Sequence, residues 1–179
     1  MLKIAAIAGL LLVGLIVLIV IIGYALPRQH VAARAIALRQ KPADVFALIS
    51  NFKDGASWRT DVQQVELLPD RDGHTRFRER GKNGALTFEV VEFNPPQRMV
   101  TQIDSTGMPF GGVWIFEIAP APEGSRLNIT ERGEIYNPVF RFVSRFILGY
   151  TGTLDTYLKS VARKFGESSS PVEGEIAVR

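Results

Sequence analysis

The sequence predicts an α+β domain, a curved seven-stranded antiparallel sheet around one long C-terminal helix, carried behind an N-terminal transmembrane helix. Three observations lead there. Residues 4 to 26, "IAAIAGLLLVGLIVLIVIIGYAL", form an uncharged apolar run. Between residues 62 and 136 polar and apolar residues alternate in six consecutive segments joined by short turns. From Pro138 onward the apolar spacing changes to threes and fours, the period of a helix with one buried face.

At about 1.5 Å per residue the first run spans roughly the hydrocarbon thickness of a bilayer, so residues 1–27 read as a single-pass anchor. A secretory signal peptide is the rival reading, with Lys3 as a minimal basic region and Gly23-Tyr24-Ala25 as small residues near a cleavage point. The apolar core exceeds the roughly 7–15 residues usual for such a peptide, which favours the anchor. Arg28, Arg34, Arg39 and Lys41 follow the span while Lys3 precedes it, but those later charges also belong to a folded strand. The side of the membrane stays open. Gly9 and Gly14 miss the spacing of a helix-pairing motif.

Residues 28–166 read as one domain. "HVAARAIALRQ" (30 to 40) is a first strand, and "PADVFALISNF" (42 to 52) starts a short helix, with Pro42 at its first turn and Asp44 near its positive end. Val45, Phe46, Leu48, Ile49 and Phe52 give it a buried side. Strands at 62–68, 74–80, 85–93, 98–104, 112–119 and 125–136 are separated by "PDRDG", "GKNG", "NPPQ", "TGMPFGG" and "APAPEG". Turns this short make successive strands antiparallel. Prolines fall between the periodic segments, because proline cannot donate to a central ladder.

From Pro138, Val139, Phe140, Val143, Phe146, Ile147, Tyr150, Leu154, Tyr157, Leu158, Val161 and Phe165 describe one amphipathic helix long enough to cross the whole sheet. A twisted sheet curling around a single cylinder of about 10 Å leaves space beside it, and that space is an expected cavity. "ESSSPVEGEIAVR" (167 to 179) reads as a frayed, disordered tail.

Composition excludes several functions. The 21 Lys and Arg against 18 Asp and Glu are interspersed, which argues against a nucleic-acid surface. With no cysteine there is no disulfide, iron–sulfur cluster or thiol nucleophile. His30 and His74 are far apart in the sequence and have no ligand-spaced neighbours, so no metal and no cofactor are expected. No nucleophile elbow, Walker loop or dinucleotide fingerprint is present.

"ALRQKPADVFALISNFKDGASWRTDVQQVELL" (37 to 68), "EVVEFNPPQRMVTQI" (89 to 103) and "GTLDTYLKSVARKF" (152 to 165) resemble the SRPBCC superfamily, the START and birch-pollen-allergen helix-grip fold, and within it the polyketide cyclase/dehydrase-like group. The resemblance covers nearly all of residues 30–166. It implies a hydrophobic cavity between sheet and C-terminal helix that holds lipids, sterols, polyketides or other apolar small molecules.

Strand alternation puts Leu127, Ile129, Glu131, Gly133 and Ile135 on one inner row, and Arg126, Asn128, Thr130, Arg132 and Glu134 on the wet one. Phe77 with Glu79, and Leu86, Phe88 and Val90 followed by Glu92, face inward likewise, and Trp114, Phe116 and Ile118 leave Glu117 outward. Glu131 and Glu79 are therefore candidate proton-transfer or head-group-binding carboxylates, or else partners of an arginine such as Arg59. Trp58, Phe77, Phe88, Trp114, Phe116, Glu131 and Tyr150 are the expected ligand contacts, though cores and pockets draw on the same residue types. The start of the long helix carries more apolar surface than one stripe needs. Phe140, Arg141, Phe142 and Arg145 are expected at the bilayer surface, or else as a cap on the cavity. The functional readings are a membrane-anchored binding or carrier domain for a hydrophobic small molecule or lipid, a cyclase/dehydratase-type enzyme using an inward carboxylate, and a ligand-free interaction module. Binding without catalysis is preferred.

Overall fold

The computed structural model describes residues 2–82 and 84–178, so Asn83 of the "GKNG" turn and the two terminal residues lie outside it. An apolar helix, α1 (Leu2–Ala25), comes first, and its segment Lys3–Ala25 is long and apolar enough to cross a membrane. Strand β1 (Gln29–Leu38) follows, then α2 (Pro42–Ser50), a 3₁₀ turn at Phe52–Asp54 and α3 (Gly55–Trp58). Six strands succeed one another: β2 (Val62–Arg71), β3 (His74–Gly81), β4 (Gly84–Asn94), β5 (Arg98–Ile103), β6 (Phe110–Ala121) and β7 (Gly124–Ile135). The chain ends with α4 (Pro138–Val143), a π-helical turn at Ser144–Leu148, α5 (Gly152–Lys164) and a two-residue strand, β8 (Val172–Glu173).

The sheet order is β2-β3-β4-β5-β6-β7-β1-β8, antiparallel throughout. The hairpins from β2 to β7 succeed one another along the chain, and β1 joins β7 from the far end of the sequence. It lies against β7 from Gln29 opposite Glu134 to Leu38 opposite Ser125. Helices α2 and α5 cover the concave face, where Ile36, Val45, Leu127, Ile129, Leu154, Leu158 and Val161 lose all contact with water.

Three features differ from the sequence expectation. The long helix is broken. Gly149 adopts φ +74°, a left-handed conformation that glycine reaches without steric cost, and its N–H closes the π turn on the Ser144 carbonyl at 2.9 Å. Tyr150 and Thr151 then cross to a new helix start at Gly152.

The tail is the second difference. Instead of fraying, it lies across the outer face of the sheet and adds an eighth strand, β8 pairing with β1 at Arg34 and Ala35. Asn128 exchanges two hydrogen bonds with the backbone of Glu175, at 2.8 and 3.0 Å, the Thr130 hydroxyl accepts from Ala177 N–H at 3.0 Å, and Arg132 donates to the Ala177 carbonyl at 2.6 Å. Ala177 packs with Val100 and Ile115. Asn128 and Thr130, expected in water, are buried beneath this strap. Polar side chains bonding to an extended backbone satisfy its donors as a neighbouring strand would, which alternation within one strand cannot reveal.

Thirdly, β4 slips register between Val90 and Glu92. The extra residue turns Glu92 to the outer face, where its carboxylate meets Arg98 at 2.9 Å, with Glu117 on the same guanidinium at 2.7 Å.

Leu158 sits on the buried side of α5 with no exposed surface, so Leu158→Ala should lower the unfolding free energy of the detergent-solubilised chain by about 2–5 kcal/mol. Lys159→Ala, one position round the helix and exposed, should shift it by less than about 0.5 kcal/mol. Equilibrium denaturant unfolding reads both.

Candidate functional site

The concave face carries two separate polar centres in an aromatic lining. The first lies at the α1 end of the sheet. Glu131 on β7 stands between Trp114 of β6 and Ala32 of β1. Its Oε1 lies 3.4 Å from His30 Nε2, so a proton on that nitrogen is donated to the carboxylate. The His30 ring stacks on Tyr150 with centroids 4.1 Å apart and planes 16° from parallel. His30 fits because its partner across the ladder is Gly133, where a Cβ would come within 2.2 Å of the imidazole. Glu131 Oε2 and His30 Nδ1 are both buried and make no hydrogen bond. Such atoms are costly unless a polar group meets them, so this pair offers a further acceptor on each residue to a polar group that approaches it.

The second centre is an ion pair. Glu79 on β3 receives Arg59 Nη1 at 2.5 Å, while Arg59 Nη2 reaches Asp61 at 2.6 Å. The same guanidinium lies over the Tyr157 ring, 5.0 Å from its centroid. Burial pushes the Glu79 carboxyl above its usual range, against the pull of Arg59, and burial likewise raises the Tyr157 phenol. Glu79 therefore holds a structural partner, and β4, β5 and β6 separate it from Glu131. The two carboxylates do not form one acid–base site.

Between the centres, α5 drives Tyr157 into the aromatic lining. Its ring lies 5.5 Å from Trp58, 5.7 Å from Trp114 and 5.6 Å from Phe116. Phe77 stacks between Phe52 and Phe88 further along the sheet. Trp58, Phe77 and Phe116 are buried, whereas Phe88, Trp114 and Tyr150 are only partly so. The middle of the expected hollow is thus filled by rings, because the Tyr157 side chain projects from α5 among Trp58, Trp114 and Phe116. The two described concavities lie elsewhere. One, of about 440 Å³, is lined by Pro27, Arg28, Gln29, Glu134 and Tyr136, and the other, of about 270 Å³, by Arg71, Glu89 and residues 102 to 105.

The residues expected at the bilayer divide as well. Phe140 and Phe142 are half-buried and Arg145 is exposed, but Arg141 is buried. Its guanidinium donates to the carbonyls of Leu26 at 2.9 Å and Tyr136 at 3.2 Å. A helix end leaves carbonyls unsatisfied and carries partial negative charge, so Arg141 ties α4 to the end of α1 instead of facing lipid headgroups. Among the described residues no cluster of three His, Cys, Asp or Glu side chains could hold a metal ion.

A family model described as polyketide cyclase / dehydrase and lipid transport matches residues 29–166. The chain belongs to that family. Its fold is shared with solved structures at low identity, all of helix-grip type. Truncated norcoclaurine synthase from Thalictrum flavum is 10% identical over 76% of this chain and 93% of its own, with a TM-score of 0.62. A START superfamily protein from Mycobacterium smegmatis is 15% identical over 75% of this chain and 96% of its own, at 0.57. A conserved protein from Geobacillus kaustophilus is 14% identical over 79% and 99%, at 0.63. No curated protein matches the sequence.

Within this domain, Arg59→Met should cost about 3–5 kcal/mol by stranding a largely buried carboxylate. Without the arginine the folded-state pKa of Glu79 rises further above its unfolded value, so the folded variant binds the proton more tightly. Its stability is then greatest below the unfolded carboxylate pKa and falls as pH rises through the folded one. Denaturant titrations should therefore find a larger deficit at pH 8 than at pH 5, and Arg59→Met with Glu79→Gln less damaging than Arg59→Met alone.

Proposed function

We propose that this domain binds an amphipathic small molecule, with the apolar part against Trp114 and the concave face and the polar head at Glu131 and His30. The observation that carries this reading is the pair of buried, unpartnered polar atoms, Glu131 Oε2 and His30 Nδ1, in an otherwise apolar lining. With the Nε2 proton held by Glu131, the carboxylate Oε2 and the imidazole Nδ1 can each accept a hydrogen bond, a combination suited to a hydroxyl- or amide-bearing head on a lipid-like or polyketide-like molecule. Family membership supports the same class of ligand. The break at Gly149 to Thr151 supplies the access route, because Tyr150, which covers His30, lies on a linker and not inside a helix. The aromatic middle is closed in this conformation, so admission of a ligand requires that linker to move. The long apolar α1 supports a single-pass membrane tether for the domain.

Two measurements test the reading. Native mass spectrometry and titration with fluorescent fatty acids, on chain exchanged from detergent into nanodiscs, should detect a bound apolar ligand. Absence of co-purified ligand and of saturable uptake would contradict it and favour a ligand-free scaffold. Glu131→Gln should weaken binding of a hydroxyl- or amide-headed ligand by about 1–3 kcal/mol, or roughly 5- to 150-fold, while alkane-like probes bind as before.

A second reading, proton transfer on the bound molecule, draws on the same His30–Glu131 contact. In that case Glu131→Gln abolishes turnover and largely retains binding, and an unchanged rate removes Glu131 from the chemistry.

A further inference from the structure

Phe146, Ile147 and Leu148, three consecutive large apolar residues in the π turn, are 59%, 69% and 62% exposed. Arg145, beside them, is also exposed. A triplet of this kind is costly in water and belongs against an apolar phase. Its position in the fold indicates which. The π turn continues α4, and α4 is the element through which the domain packs on α1. On α1 the residues that lose exposure are Ile19, Val20, Ile22 and Gly23, a stripe along its last two turns that Leu26 continues just past the helix end. The approach is close. A Cβ on Gly23 would lie 2.0 Å from the Pro138 carbonyl oxygen, so only glycine admits α4 there. Arg141 locks the contact through Leu26.

From Ile19 to Leu26 is about 10 Å along the helix axis. If α1 spans a bilayer, those turns occupy the outer part of the hydrocarbon and its boundary with the headgroups, the depth of roughly 5–10 Å at which interfacial apolar side chains reside. α4 is fixed to that level, and the exposed triplet follows immediately from it.

We propose that Phe146, Ile147 and Leu148 insert into the acyl–headgroup boundary of the same bilayer that α1 crosses, with Arg145 against the lipid phosphates. This rests on the reading of α1 as a membrane span. The insertion makes the domain sit on the membrane by two points instead of swinging from one. It also puts lipid one residue from Gly149 and two from Tyr150, whose ring covers His30, so the polar end of the binding face opens toward the bilayer.

The chain has no cysteine, so a single introduced thiol is a unique label site. Ile147→Cys, carrying an environment-sensitive fluorophore, is reconstituted in phosphatidylcholine vesicles with a minority of phosphatidylglycerol. Nitroxide lipids labelled near the headgroup or near the chain end serve as quenchers. Leu12→Cys reports the anchor, and Asp70→Cys, at the exposed β2–β3 hairpin, reports solvent. The expected result is several-fold stronger quenching at 147 than at 70, greatest with the shallow nitroxide, and at 12 greatest with the deep one. Quenching at 147 no stronger than at 70, with 12 still deep, overturns the insertion while leaving the anchor. Loss of deep quenching at 12 removes the anchor reading and the insertion with it. Unchanged thermal unfolding of the Ile147→Cys chain establishes that the label reports the native fold.

Discussion

The antiparallel pairing of β1 with β7 is the contact from which the rest of the arrangement follows. β1 is the first strand and β7 the last of the hairpin series, so their ladder closes about a hundred residues of chain. Loop closure on that scale carries a conformational cost that ten register pairs and the apolar row beneath them must offset. One consequence is chemical, because the register sets His30 over Gly133 and Ala32 beside Glu131, creating a polar pair that neither strand contains alone. Another is spatial. α1 ends four residues before β1 begins and α4 begins three residues after β7 ends, so both helices meet at one end of the sheet. The apolar helix, polar pair and helix break are neighbours for this single reason.

At the other end of the concave face the chemistry is devoted to holding shape. Arg59 serves Glu79, Asp61 and the Tyr157 ring together, and each contact helps offset the desolvation of the others. Tyr157, set by that cluster, then fills the space beside Trp58, Trp114 and Phe116. The domain is therefore asymmetric, with a ring-packed middle, where the Trp58 indole N–H also lacks a partner, and an α1 end where a carboxylate oxygen and an imidazole nitrogen do. A binding face of this kind is shaped by what the helix side chains occupy as much as by the curvature of the strands.

Much of the architecture was legible in the sequence because it depends on local periodicity. The alternation of β2 to β7, Pro42 at the head of α2 and the apolar helix α1 are each written within a short window, and strand alternation assigned Glu131, Trp114 and Phe116 to the inner face. Features set by distant pairing were not legible in that way. His30 looked isolated because its partner is separated from it by 101 residues, and only the β1–β7 register joins them. The strap at residues 172–178 has the composition of a frayed end, and its order comes from Asn128, Thr130 and Arg132 on another strand. The helical period ran unbroken through Gly149, since apolar spacing does not register a left-handed backbone. Arg141 read as a headgroup ligand because the carbonyl it caps belongs to α1.

The central claim is that the His30–Glu131 end of the concave face receives the polar head of an amphipathic molecule. Ring-nitrogen NMR tests it directly, since the chain has only two histidines and His74, bonded through Nδ1 to the Val90 carbonyl on the far strands, is an internal reference. On titration with medium-chain alcohols and fatty acids, the His30 ring nitrogens should shift saturably while those of His74 stay fixed. Saturable binding that leaves both histidines unmoved would contradict the claim.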